Sequence, residues 1–123
     1  MKETIDRLVS IVESKGITVF ARIDHAVNAV EQGMQLRPTE LLIFGNPKAG
    51  TVLMQDKQTS GIDLPLKALA WEDESGKVWL CYNEARWVAE RHDLTGKSHP
   101  VAKAIDEGMT NFLIAAAAKI ESH

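Results

Sequence analysis

The sequence predicts an α+β fold, an antiparallel sheet of about four strands with helices packed on one face. Three observations carry this reading. Apolar residues recur at helical spacing near both ends of the chain. Between them lie short β-prone segments that either alternate or run apolar. Two of these segments are joined by Glu74-Ser75-Gly76, the strongest hairpin signal in the chain.

Ile5, Leu8, Val9 and Val12 define a first amphipathic helix, which Gly16 ends. It begins almost at Met1, leaving little room for a preceding strand. Ile17 to Ile23 alternates, placing Ile17, Val19, Ala21 and Ile23 on one face and Phe20 and Arg22 on the other. Asp24 caps a short helix that Gly33 closes. After the Arg37-Pro38-Thr39 connector, Glu40 to Phe44 is a second and more buried strand. Asn46 and Pro47 then cap and start a helix with Val52, Leu53 and Met54 inward.

Asp56 to Gly61 reads as a turn. Ile62 to Asp73 alternates as a third strand, with Pro65 marking an edge at its start. Lys77 to Tyr82 is its hairpin partner. Asn83 caps a helix through Arg91, and a long last helix starts near Pro100. Its Ala115 to Ala118 run permits close packing against a sheet or a partner helix.

At 123 residues the chain suits a single domain, 1-123, large enough to bury a core without staples. Seventeen acidic against 14 basic residues give a net charge of −3. No strand interleaves aromatics with Lys or Arg, so no nucleic acid partner is expected. One cysteine, Cys81, rules out an intrachain disulfide and suits a reducing, cytoplasmic setting; it reads as a buried, inert thiol. The N-terminal residues lack a signal-peptide core, and no apolar run approaches the roughly 18 residues of a membrane span. No membrane partner is therefore expected.

Four local patterns carry a family resemblance. They are Asp24-His25-Ala26, the long stretch from Arg37 to Thr51, Asp63-Leu64-Pro65-Leu66-Lys67, and Ala89-Glu90-Arg91-His92. Over roughly Thr4 to Leu94 the chain resembles the domain of unknown function 302 family. The resemblance implies a curved antiparallel sheet with TATA-binding-protein-like topology, its first strand lacking or shortened here. It also implies a homodimer, and it brings no chemistry with it.

Asn46, Lys48 and Thr51 suggest an anion pocket, since N–H groups at a helix start, a cation and a hydroxyl all favour phosphate or carboxylate. The competing reading is an ordinary helix start with Lys48 in solvent. Asp63 and Lys67 fall on one face of the third strand, where a buried pair would be a binding or catalytic candidate; a structural ion pair is the alternative. His25 and His92 with a carboxylate suit a metal ion, but their spacing matches no ligand motif. The alternative places His25 at one helix start and His92 at another helix's end. Trp71, Trp79 and Trp87 read as core or interface residues. Phe20, Leu69, Trp71 and Met109 are the expected lining of any apolar pocket, by analogy of fold.

The leading reading is a homodimer that binds a small, anionic ligand through Asn46, Lys48, Thr51, Asp63 and Lys67. Alanine at Lys48 or Lys67 is then expected to abolish binding without unfolding the chain. The alternatives are a metal-binding protein or metal-assisted hydrolase using His25 and His92, and a structural or partner-binding module. Residue types leave open whether the chain is an enzyme and which cofactor, if any, it holds.

Overall fold

The computed structural model describes residues 1–121, with side chains through Ala117. Helix α1 (Lys2–Ser14) leads into β1 (Thr18–Asp24), α2 (His25–Glu31), β2 (Thr39–Gly45) and α3 (Pro47–Asp56). A 3-10 helix over Gln58–Asp63 follows, then β3 (Lys67–Glu72), β4 (Val78–Tyr82), α4 (Ala85–Arg91) and α5 (Ser98–Glu121). The four strands form one antiparallel meander in the order β1-β2-β3-β4. This is the α+β architecture expected, with short connections between sequential neighbours.

The core lies between one sheet face and the helices. Leu42, Phe44, Leu66, Ala68 and Ala70 point from the sheet toward Ile5, Leu8 and Val12 of α1. Leu53, Val88, Ala102, Met109 and Leu113 add the inward sides of α3, α4 and α5. Within the Ala115 to Ala118 run, Ala116 is fully buried, and Ala118 lies outside the residues whose side chains are described. The opposite sheet face carries Ile23, Leu41, Ile43, Leu69 and Trp71, half-buried and outside the core cluster. Trp79 stacks on Trp71 there, with ring centroids 6.0 Å apart, and is itself largely exposed.

The alternation expected for β1 is interrupted. Val19 pairs with Phe44 but Ala21 pairs with Ile43, so Phe20 is an extra, bulged residue. Ile17 and Val19 therefore join the core, while Ala21 and Ile23 turn to the outer face. Arg22 faces the helices, where it donates to the buried Glu40 at 2.7 Å and to Asp6 of α1 at 2.9 Å. The Glu40 carboxylate, more than Asp6, raises the Arg22 guanidinium further above its ordinary range.

Three other expectations change. Ile62 and Asp63 are not in a strand; they end the 3-10 helix, and β3 begins only at Lys67. The polar Gln58–Gly61 stretch carries the chain into this tight turn instead of an extended edge. Asn83 does not cap α4; Glu84 is its N-cap residue and makes no side-chain capping bond. Asp106 of α5 does that work, accepting from the N–H groups of Ala85 and Arg86. Cys81 is exposed, because Leu80 and Tyr82 take the inward positions of β4 and leave Trp79 and Cys81 outward.

Candidate functional site

Asn46 ends β2 and opens α3. Its Oδ1 accepts from Lys48 N–H at 2.9 Å and Ala49 N–H at 3.4 Å, and its carbonyl accepts from Gly50 N–H at 2.9 Å. The Thr51 hydroxyl donates back to the Pro47 carbonyl at 2.7 Å. The backbone N–H groups and the Thr51 hydroxyl that would greet an anion here are already occupied. Lys48 projects into solvent.

The five residues expected to bind one ligand are divided among four places. Asn46 and Thr51 line a cavity described below, and Lys48, Asp63 and Lys67 do not. Lys67 lies on the outer sheet face with Leu69 and Trp71, opposite Ile43. Asp63 forms no pair with it. It accepts instead from Arg91 Nη1 at 3.0 Å and shares a 2.6 Å hydrogen bond with His92 Nε2.

His92 closes α4, and its Nδ1 lies 3.2 Å from the Thr59 hydroxyl. This set ties the 3-10 helix to the end of α4, where the helix dipole favours a cation. His25 is the first residue of α2, exposed, with Asp24 Oδ1 capping the helix through Val27 N–H at 3.0 Å. The two histidines thus stand on separate elements. Among the described residues no group of three or more His, Cys, Asp or Glu side chains is placed to hold a metal ion.

The cavity has a volume of about 680 Å³ and sits between α5, α3 and the end of the sheet where β1 starts and β2 stops. Val101, Ala104, Ile105, Gly108, Met109 and Phe112 form its α5 wall. Ile17, Phe20, Phe44, Met54 and Leu66 supply apolar surface from the other elements. Phe20 and Met109 were expected lining; Leu69 and Trp71, on the outer sheet face, were not found there. Sequence reasoning missed Lys15, which also lines it. One signal was available: Ala104 and Gly108 place small side chains in the middle of an otherwise bulky helical stripe, which leaves volume unfilled.

A second depression of about 650 Å³ lies between α4 and α5. Part of its polar lining is already paired. Arg86 pairs with Glu84 at 3.0 Å, Tyr82 and Thr110 share a hydrogen bond of 3.0 Å, and Asp106 caps α4. Its lining is mostly polar and carries both signs of charge, so the apolar cavity is the better ligand site.

Fold and cavity together define a small α+β protein with a chamber between an antiparallel meander and its longest helix. A family model, Domain of unknown function DUF302, matches residues 1–115, and the chain belongs to that family. The crystal structure of an uncharacterized conserved DUF302 protein from Bacillus stearothermophilus shares the fold. It has a TM-score of 0.73 and 20% identity, covering 94% of this chain and 87% of that one.

Among curated proteins, the chain is 56% identical over 106 residues to two named "Fluoride-specific ion channel FluC 1". One is from Brucella suis biovar 1 (strain 1330), the other from Brucella abortus biovar 1 (strain 9-941). The match covers 86% of this chain but only 42% and 39% of theirs, so the chain spans about two fifths of these relatives.

These names correct the exclusion of a membrane made from the sequence, since an ion channel works in one. That exclusion rested on the hydropathy of this chain alone, and more than half of each relative lies outside the match. Among the described residues no helix is long and apolar enough to cross a membrane.

Proposed function

We propose that this chain is a small-molecule-binding domain whose ligand occupies the apolar cavity beneath α5. The supporting observation is the cavity itself. Its volume of about 680 Å³ falls within the roughly 300–1,000 Å³ of ligand pockets. Asn46 and Thr51 stand at its edge as orienting polar groups. We take the domain to be cytoplasmic and homodimeric. An exposed free thiol at Cys81 suits a reducing compartment, and the apolar outer sheet face suits a second copy.

Native mass spectrometry on gently purified protein tests this reading. A defined extra mass that is lost in Gly108→Leu is the expected result. A bare chain, with no thermal shift from any apolar compound, overturns it.

The named relatives favour a second reading. We propose that the domain serves a fluoride channel. Support comes from the 56% identity to proteins so named, over about two fifths of their length. Fluoride efflux from proteoliposomes holding such a channel, with and without this chain, provides the test. Unchanged efflux and no co-purification in detergent would sink it.

A further inference from the structure

We propose that the occupant of the α5 cavity is an elongated apolar molecule ending in one anionic group, and that Lys15 receives that group. This rests on the cavity being the ligand site and adds the class of ligand.

Charge is the first argument. Twenty residues line the cavity, and Lys15 is the one that carries charge; none is acidic. The chain as a whole has an acidic excess, with net charge −3. A lining without carboxylates is therefore a local departure from the surface around it. Among the described residues no carboxylate lies within ion-pairing distance of Lys15. An apolar chamber with one cation at its edge complements a monoanion attached to a hydrocarbon body.

The backbone donors at this end of the sheet are spent, and the Asn46 side-chain amide is a neutral donor. The first N–H groups of α3 bind Asn46, and Thr51 binds the Pro47 carbonyl. Lys48 points to solvent and does not line the cavity. An anion arriving here meets Lys15 as its charged partner.

Shape is the second argument. The α5 wall runs from Val101 to Phe112 on a single stripe, about 16 Å at 1.5 Å per residue. Gly108 sits within that stripe, and a Cβ there would lie 3.8 Å from the Phe112 ring. A wall of that length suits a linear chain better than a compact ring system. Met54 and Met109, from facing elements, adapt to an irregular occupant.

Dodecanoate and 1-dodecanol, alike in chain and different in charge, are the ligands for the test, with affinities read by isothermal titration. The native chain is expected to bind dodecanoate about tenfold more tightly, as one charge-assisted hydrogen bond provides. Lys15→Gln should erase that preference and leave dodecanol binding unchanged. Lys15 also sits at the C-terminal end of α1, where a cation suits the helix dipole. Binding is therefore compared between the two ligands and not with thermal stability.

Gly108→Leu, and independently Gly50→Leu on the α3 wall, should abolish binding of both ligands while circular dichroism stays native. Equal affinities in the native chain, or an equal loss of both in Lys15→Gln, overturns the anionic-ligand inference and leaves the cavity reading standing. No binding of either, or binding that survives both filling variants, overturns the cavity reading as well.

Discussion

Asp106 caps a helix to which it does not belong. From α5, its Oδ2 accepts the Arg86 N–H at 2.9 Å and its Oδ1 accepts the Ala85 N–H. One carboxylate thereby fixes the start of α4 against α5. Asp106→Ala is expected to lower stability by about 1–2 kcal/mol, the worth of a lost cap. Asn83→Ala should stay within about 0.5 kcal/mol. Urea denaturation of the two variants checks the contrast.

Arg22 and Glu40 make a partly buried ion pair between β1 and β2, with Glu40 side-chain exposure at 8% and Arg22 at 31%. Removing Arg22 leaves a carboxylate in the core edge without its partner. Arg22→Ala should cost roughly 3 kcal/mol, the low end for a broken buried pair, because Arg22 keeps some solvent. Replacing both residues with apolar ones should recover most of that loss, read from the same denaturation curves.

The β3–β4 turn is organised by Asp73. Its carboxylate accepts from Trp79 Nε1 at 2.9 Å and from Ser75 and Lys77 N–H groups at 3.0 Å. The Trp79 hydrogen bond, then those of the turn, lower its pKa from 3.8 to about 2. A depressed carboxylate pKa adds stability above 3.8, lost as pH falls toward about 2. Thermal melts between these limits should lose this component in Asp73→Asn, and a carbon-detected NMR titration should show Asp73 protonating near the lower one.

Ser60 is fully buried, and its Oγ has no hydrogen-bond partner among the described residues. Ser60→Ala removes an unpaired polar group without leaving a large cavity. It is expected to be neutral or to stabilise by about 1 kcal/mol. A loss greater than that would mean the hydroxyl is satisfied in solution.

Lys48→Ala and Lys67→Ala should leave dodecanoate binding unchanged, since one lies in solvent and the other on the outer sheet face. The same titrations used for Lys15→Gln measure this. A loss at either lysine would return the site to the arrangement the sequence suggested.

Local patterns carried most of the fold. Ile5, Leu8 and Val12 marked α1, Asn46 and Pro47 marked α3, and Glu74-Ser75-Gly76 marked the β3–β4 hairpin, because each is set within a few residues. Non-local facts were not legible. The partner of Asp63 depends on how the 3-10 helix meets α4, and nothing in Asp63-Leu64-Pro65-Leu66-Lys67 names Arg91 or His92. Lys15 stood unremarked between a helix and a glycine, since its significance comes from α5, nearly a chain length away. The exposure of Cys81 depended on which parity of β4 meets the helices, a choice that flips with a shift of one residue.

The bulge at Phe20 works as a phase shifter. Val19 and Arg22 both face the helices, although an uninterrupted strand would place them on opposite sides. Deleting Phe20 would therefore leave Val19 and Arg22 two residues apart, which puts them on one face of a regular strand with their partners Phe44 and Leu42 unchanged. The deletion would straighten β1 and take the Phe20 side chain from the cavity, while the inward side of the strand kept its register.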